Sequence, residues 1–167
     1  MMRRLIQTYI IVSAIFFTAW GNVVEAKILP PDVSKNPDKA IVFWDEVIRL
    51  DHSDAAAFNN RGKAYKNLGQ YKRAVENYSE AIRLDPGNTE AYYNRGIAYK
   101  QLGEFHRAIG DFSRAIQLDT ENAESYRHRG TTFKKLAQYR RALEDFDRSI
   151  QLVPDNYRSY NNRGLVY

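Results

Sequence analysis

Side chains that could do acid–base, metal or nucleophilic chemistry are not grouped in the spacings that such chemistry needs. The three histidines, His52, His106 and His128, form neither a metal-ligand pair nor an HExxH motif. The sequence has no Cys, which excludes thiolate metal sites, cysteine nucleophiles and disulfides. It also lacks the GxSxG elbow and the glycine-rich loops that bind phosphates. We therefore expect no catalytic residue, no metal ion and no cofactor.

Two rows of polar side chains recur along the chain at a fixed spacing of 34 residues. The rows are Lys66, Lys100 and Lys134, and Asn60, Asn94 and Asn162, with His128 standing in the second row between Asn94 and Asn162. An Asn side chain carries both a hydrogen-bond donor and an acceptor, so a row of them can bind the backbone of an extended peptide. A row of Lys side chains attracts acidic side chains or a free carboxylate. The chemistry that this pattern favours is binding rather than catalysis.

The spacing of the polar rows is that of an internal repeat, which covers most of the chain. Arg and Gly are adjacent at Arg61-Gly62, Arg95-Gly96, Arg129-Gly130 and Arg163-Gly164, always 34 residues apart. We divide the chain into a half repeat at 36–54, three full repeats at 55–88, 89–122 and 123–156, and an incomplete repeat at 157–167. The first two full repeats are identical at half of their aligned positions. The half repeat matches only the second half of a unit.

Each full repeat predicts two amphipathic helices separated by a turn, because apolar residues recur at three- and four-residue steps in two stripes. In the first full repeat the stripes are Phe58, Ala64 and Tyr65, followed by Ala74, Tyr78, Ala81 and Leu84. Gly69 separates the stripes and Pro86-Gly87 follows the second, so both helices end at turn-forming residues. Most aromatic residues fall on the stripes, so we expect them in the core rather than on a surface that stacks bases.

These positions resemble the tetratricopeptide repeat, a helix-pair repeat of 34 residues. The small, aromatic and alanine positions that carry the resemblance include Gly62, Gly96, Gly130, Tyr65, Tyr99, Phe133, Ala74, Ala108 and Ala142. The resemblance covers 37–167 and implies an all-α fold, a right-handed superhelical solenoid of antiparallel helix pairs. The sequence departs from the family at Ala137, which replaces a turn glycine, and at the arginine before each repeated glycine, where the family usually has Leu.

That repeated arginine has two interpretations, because a charge in an apolar slot must have its guanidinium satisfied. The guanidinium can pair with a carboxylate such as Asp111 or Asp145, which makes it a structural residue. It can instead contact a ligand. We favour the structural interpretation, since charges that repeat along a helical array are usually structural.

In solenoids of this kind the first helix of each pair lines a concave surface that binds extended segments. By resemblance, the side chains that face this groove are Asn59, Asn60, Lys63, Lys66, Tyr93, Asn94, Lys100, Arg127, His128, Lys134 and Asn162. We expect the Asn row to be exposed and the partner to be a protein or peptide of acidic or polar character. An ordinary solvated helix face explains the Lys row equally well. The carboxylate clamp of chaperone-tail binders is not predicted, because only Asn94 fits its pattern.

Residues 1–26 have the pattern of a secretory signal peptide. Arg3 and Arg4 precede a long uncharged run, and Val24 and Ala26 stand where a signal peptidase reads small residues, which predicts cleavage after Ala26 and an extended leader at 27–35. The alternative is an uncleaved signal anchor, which would place the repeats outside the cytoplasm and bring a membrane contact. We expect a periplasmic or secreted protein. The net charge of +5 and pI of 9.4 raise nucleic acid as a partner, but export argues against it.

The expected function is that of an exported, non-enzymatic scaffold or adaptor that binds an extended peptide segment of a protein partner. The alternative is the N-terminal repeat region, or a fragment, of a longer multidomain protein such as a transferase, with its catalytic part absent. The repeat at 157–167 stops within its first helix. We therefore also expect either self-association through this end or a longer array.

Overall fold

The computed structural model describes residues 30–166, and these residues form helices joined by short turns. The helices are α1 (Pro37–Leu50), α2 (Ala55–Asn67), α3 (Tyr71–Leu84), α4 (Thr89–Gln101), α5 (Phe105–Leu118), α6 (Ala123–Lys135), α7 (Tyr139–Leu152) and α8 (Tyr157–Gly164). The described chain contains no β-strand. The predicted signal peptide, 1–26, lies outside the described residues. Within 30–166, no helix has the length and apolar character needed to cross a bilayer.

Consecutive helices pack against each other along the whole array, which confirms the predicted all-α, right-handed superhelical solenoid of antiparallel helix pairs. Helix α4 also contacts both α2 and α6, the first helices of the neighbouring pairs. These three helices therefore form one continuous surface, and the second helices α1, α3, α5 and α7 form the other side of the array. This arrangement places side chains from adjacent repeats next to each other on the concave side.

Each helix pair closes on a glycine that has no room for a side chain. A Cβ atom at Gly62, Gly96 or Gly130 would lie 2.7–2.8 Å from a ring carbon of the paired helix. The rings belong to Tyr78, Phe112 and Phe146, and each is fully buried. Because real carbon atoms do not approach this closely, the aromatic ring of the second helix fits only against a bare backbone.

Helix ends repeat as regularly as the core. The side chains of Asp54, Asn88 and Asn122 each accept a hydrogen bond of 2.9 Å from the backbone N–H three residues later, which caps α2, α4 and α6. The turn inside each pair needs a left-handed residue, and Gly69 and Gly103 supply it with φ of 72° and 78°. Ala137 occupies the equivalent turn with φ of 57°. The third pair therefore keeps the turn geometry although it lacks the glycine.

Two sequence-based expectations are wrong in detail. Of the predicted extended leader, 27–35, the structure describes 30–35, and this part is not extended throughout. Oxygen atoms of Asp32 accept hydrogen bonds from the backbone N–H groups of Ser34, Lys35 and Asn36 and close a turn before α1. Tyr139, which falls on an apolar stripe and was expected in the core, is 52% exposed. The reason is that α8 ends at Gly164 and covers less of α7 than a full-length helix such as α6 covers of α5.

The repeated arginines are structural, as the favoured interpretation predicted. Arg95 donates two hydrogen bonds of 2.8 Å to the buried carboxylate of Asp111, and its third nitrogen donates to Ser79 of the preceding pair. Arg129 repeats the arrangement with Asp145 and with Ser113. Each guanidinium therefore joins its own helix pair to the pair before it.

Arg61 obtains its carboxylate from a different place. Asn77 stands where the other repeats have the paired Asp, and it accepts a hydrogen bond of 2.7 Å from the Nε of Arg61. The negative charge comes instead from Asp45 on α1, at 2.6 Å. Arg163 likewise pairs with Asp147 on α7, at 2.8 Å. Among the described residues, each repeated arginine thus pairs with at least one carboxylate, supplied either by its own pair or by the preceding helix.

Candidate peptide-binding groove

The concave surface of α2, α4 and α6, which we call the groove, brings the two predicted rows of polar side chains into contact with each other. Lys66 on α2 donates a hydrogen bond of 2.8 Å from its Nζ to the Oδ1 of Asn94 on α4. One repeat further along, the Nζ of Lys100 lies 2.9 Å from the Nδ1 of His128 on α6. The lysine of one repeat therefore contacts the second row in the next repeat. In the described chain no such bond joins Lys134 to Asn162.

The expectation that the Asn row is exposed is wrong for Asn94. Its exposed fraction is 4%, and the same value is found for Asn59. Asn94 is buried because stacking of the helix pairs places the Lys66 side chain against it. Its amide oxygen is already occupied by the ammonium group, so an incoming peptide would meet the lysines before it meets this amide. Asn60, in the same row, is half-buried and accepts a hydrogen bond of 3.3 Å from Lys63.

Two glutamates neutralise part of the groove. Glu90 lies 2.7 Å from the Nζ of Lys63 and accepts a hydrogen bond of 2.9 Å from Asn59. Glu124 is paired with Arg127, whose exposed fraction is 9%. Both glutamates occupy the second position of their repeats, one turn before the polar row. Their position in the repeat is the sequence signal that could have identified them as partners of these cations.

Lys66 and Lys100 are cations without a carboxylate partner. Among residues 30–166, no acidic oxygen lies within 4.0 Å of either ammonium group. Burial lowers the pKa of Lys66, and the nearby charge of Lys63 lowers it further. Burial, followed by repulsion from Arg127, lowers the pKa of Lys100 to about 8. A lowered pKa means that the charged amine is less stable here than in water. A bound anion would stabilise the charged amine, so both lysines favour an anionic ligand.

His128 is the most perturbed histidine in the described chain. Burial is the largest cause, and the charges of Lys100 and Arg127 add to it, so that its pKa falls to about 3. Its ring stacks on Phe112 at a centroid distance of 5.7 Å and meets the edge of the Tyr93 ring at 5.5 Å. Burial raises the pKa of Tyr93. The imidazole is therefore neutral at physiological pH and is held between two aromatic rings and two cationic side chains.

An open cleft of about 350 Å³ lies beside Lys100, between the ends of α4 and α6. The residues that line it are Lys100, Gln101, Gly103, Phe105, Thr131 and Lys135. In the part of the chain that the structure describes, no three His, Asp or Glu side chains come together in a way that could hold a metal ion. The lining of the cleft therefore includes two lysines, one threonine and one phenylalanine.

The predicted groove residues thus form two clusters rather than one uniform surface. The groove floor, as we call Lys66, Asn94, Lys100, Arg127 and His128, is half-buried or buried and carries more positive than negative charge. We call the second cluster the groove entrance; its charges are paired with each other, and it consists of Asn59, Asn60, Lys63 and Glu90. Lys134 and Asn162, further along α6 and α8, are half-buried and belong to neither cluster.

Comparison with known proteins gives consistent matches. Residues 67–103 match a family model described as a TPR repeat, and residues 43–76 and 89–122 match models described as a tetratricopeptide repeat. No curated protein sequence matches the chain.

Among solved structures, a crystal structure of MamA is similar, with 30% identity, a TM-score of 0.76, and coverage of 79% of this chain and 77% of that chain. The TPR domain of Arabidopsis OM64 is also 30% identical, with a TM-score of 0.66 and coverage of 67% and 93%. The first TPR of Spaghetti (RPAP3), bound to the HSP90 peptide SRMEEVD, is 28% identical, with a TM-score of 0.67 and coverage of 70% and 92%.

Proposed function

The chain belongs to the tetratricopeptide repeat family, and from that premise we propose that it is an exported, non-enzymatic adaptor whose groove binds an extended, acidic segment of a protein partner. The observation that carries this proposal is the pair of cations on the groove floor. Lys66 and Lys100 lie on adjacent repeats of one continuous surface and lack a carboxylate partner within the described chain. An acidic segment along the groove would supply the missing charge to both.

A structural neighbour supports the class of ligand. The first TPR of RPAP3 is bound to the peptide SRMEEVD, which contains three acidic residues. The similarity suggests that the corresponding surface of this chain takes a peptide as well. The residues that would contact it differ from those of the chaperone-tail clamp, since among the clamp positions only Asn94 is retained. We therefore propose an acidic peptide from a different partner, bound mainly by Lys66 and Lys100.

Binding can be tested by fluorescence anisotropy with three labelled peptides of equal length, one rich in Glu, one rich in Lys and one uncharged. We expect the acidic peptide to bind about tenfold more tightly than the uncharged one. Replacing Lys66 and Lys100 with Gln should remove this preference. Lys39→Gln with Lys72→Gln is the matched control, because it removes two charges at exposed positions on α1 and α3. Equal affinity for all three peptides, or an equal loss in the control, would contradict the proposal.

Export is the second part of the proposal. It is supported by the basic start, the uncharged run and the small residues before Lys27. Fractionation followed by amino-terminal sequencing tests it, and the expected product is found outside the cytoplasm and begins at Lys27. A cytoplasmic product that still begins at Met1 would contradict export, and a membrane-bound product would favour the anchor. Crosslinking of the exported protein before purification would identify the partner.

A further inference from the structure

The ring of His128 lies between two side chains that normally donate hydrogen bonds. The Nη2 of Arg127 is 2.9 Å from the Nε2 of His128, and the Nζ of Lys100 is 2.9 Å from its Nδ1. A neutral imidazole has one N–H group and one nitrogen lone pair, so it can accept a hydrogen bond at only one of the two nitrogens. One of the two cationic neighbours must therefore meet an N–H group.

The protons of Arg127 decide which nitrogen accepts. A guanidinium group has hydrogen-bond donors only, and the Nη2 of Arg127 carries two hydrogens. One hydrogen is directed to Glu124 and the other to the Nε2 of His128. The Nε2 is therefore the acceptor, and the single imidazole proton is on Nδ1. That N–H group points at the nitrogen of Lys100, and it forms a hydrogen bond only if this nitrogen has a lone pair.

We propose that Lys100 is a nucleophilic amine with a large neutral fraction, and that the cleft beside it is a covalent site for small aldehydes. The amine lone pair attacks the carbonyl carbon and forms a C–N bond. The carbonyl oxygen takes up the two amine protons and leaves as water, which gives an imine. No oxidant or reductant takes part in this step. The cleft of about 350 Å³ gives a small carbonyl compound access from the solvent.

Burial and a neighbouring cation increase the neutral fraction of Lys100. The charged groups that shift the pKa of Lys100 or of His128 are Lys66 from α2, and Glu124 and Arg127 from α6, and Lys135 of α6 lines the cleft. Helix α5 presents Phe105 and Phe112 to the cleft and to the histidine ring. In the described chain, none of the groups responsible for these shifts lies on α3. After burial, Arg127 is the charged group that lowers the pKa of Lys100, and the carboxylate of Glu124 is already paired with Arg127.

The repeat provides an internal comparison, because Lys66 and Lys134 occupy the same position in the neighbouring units. Lys66 faces the oxygen of Asn94, which accepts a hydrogen bond from a charged amine. Lys134 has no such partner in the described chain. At pH 7.5 an amine with the pKa of Lys100, about 8, is about one quarter neutral. The neutral amine is the reacting form, so we expect Lys100 to be labelled at least about tenfold faster than Lys134.

The experiment uses the full chain, benzaldehyde as the probe and cyanoborohydride to reduce the imine to a stable secondary amine. Peptide mass spectrometry then gives the labelling rate of each lysine. Two variants remove the proton arrangement by installing the residue that other repeats carry at the same position. These are Arg127→Asn, which matches Asn59 and Asn161, and His128→Asn, which matches Asn60 and Asn94. We expect both variants to lose the tenfold advantage of Lys100 over Lys134.

A pH profile of the wild-type chain makes the test independent of how the variants fold. The labelling rate of Lys100 should reach half of its maximum near pH 8. The proposal is overturned if Lys100 and Lys134 react equally fast in the wild type. It is also overturned if the labelling rate of Lys100 shows no midpoint near pH 8, or if Lys100 keeps its advantage in both folded variants. Because no peptide is present, the result does not depend on whether the groove binds a partner.

Discussion

Replacing Gly96 with Ala tests the tight packing between the backbone of α4 and the Phe112 ring of α5, a contact that recurs in each helix pair. An added Cβ would lie 2.8 and 2.9 Å from two carbons of the Phe112 ring and 3.1 Å from a third. The ring is fully buried and packs against His128 and Tyr93, so it has little room to move away. Overpacking of this kind typically costs 1–3 kcal/mol, so about 2 kcal/mol is expected before backbone effects are counted.

The backbone contribution has the opposite sign. Alanine stabilises a helix interior by about 0.8–1 kcal/mol relative to glycine. The net loss for Gly96→Ala should therefore be about 1–2 kcal/mol in the free energy of unfolding. Gly110 in α5 provides a matched control, because a Cβ at that position meets no atom within 4 Å. Gly110→Ala should increase stability by about 0.5–1 kcal/mol, since only the helix propensity changes.

Urea unfolding followed by circular dichroism measures both variants against the wild type. The two substitutions are chemically identical and lie in adjacent helices of one repeat, so the expected result is a change of opposite sign. The reasoning is refuted if Gly96→Ala is neutral or stabilising, because the ring would then have moved without cost. A loss in Gly110→Ala would equally show that helix propensity does not act as assumed in this array.

Three further predictions concern a turn, an ion pair and a histidine. Ala137→Gly should raise the free energy of unfolding by up to about 1 kcal/mol, because Ala137 adopts φ of 57°. Gly69→Ala should lower it by a similar amount. The urea midpoints of the two variants test this prediction, and shifts in the same direction would contradict it. Asp111→Ala should lower the free energy of unfolding by about 2–3 kcal/mol, because it leaves the Arg95 guanidinium without its buried partner. Asp147→Ala should lower it by less than about 1 kcal/mol, because the Asp147 side chain is 51% exposed. Equal shifts of the melting temperature in the two variants would show that burial is not the deciding factor. His128 has a pKa of about 3 in the folded state against an ordinary value of 6.5, so its contribution to stability is complete above pH 6.5 and is lost as the pH falls towards 3. His128→Asn should therefore make the free energy of unfolding less dependent on pH between 6.5 and 3. Parallel pH profiles of variant and wild type would contradict the assignment.

The helices of this fold could be predicted from residue spacing because the same pattern of apolar and turn-forming residues recurs in every repeat. The apolar stripes gave the helix pairs, and the Asp residues near the middle of the second helix gave the partners of Arg95 and Arg129. Both features depend on neighbours within one pair. Their geometry follows from helix periodicity alone, and so it can be derived from a single sequence.

The arrangement of the groove could not be predicted in the same way. The burial of Asn94 and the contact of Lys66 with it depend on how one pair stacks on the next, which spacing within a repeat does not determine. The partner of Arg61 was missed for the same reason, since Asp45 lies in the preceding helix. Sequence patterns describe each unit, whereas the charges in the groove are set by the superhelical stacking of units.

The two sources of carboxylate for the repeated arginines imply that the units cannot be exchanged freely. Units 89–122 and 123–156 each contain the Asp that their own arginine needs. Unit 55–88 does not, and it depends on Asp45 in the helix before it. If this unit were placed after a repeat that has Ser79 or Ser113 at the corresponding position, its arginine would face two neutral groups. Recombination or duplication of these repeats would therefore be tolerated in some orders and not in others, and the chain's order of units is part of what stabilises it.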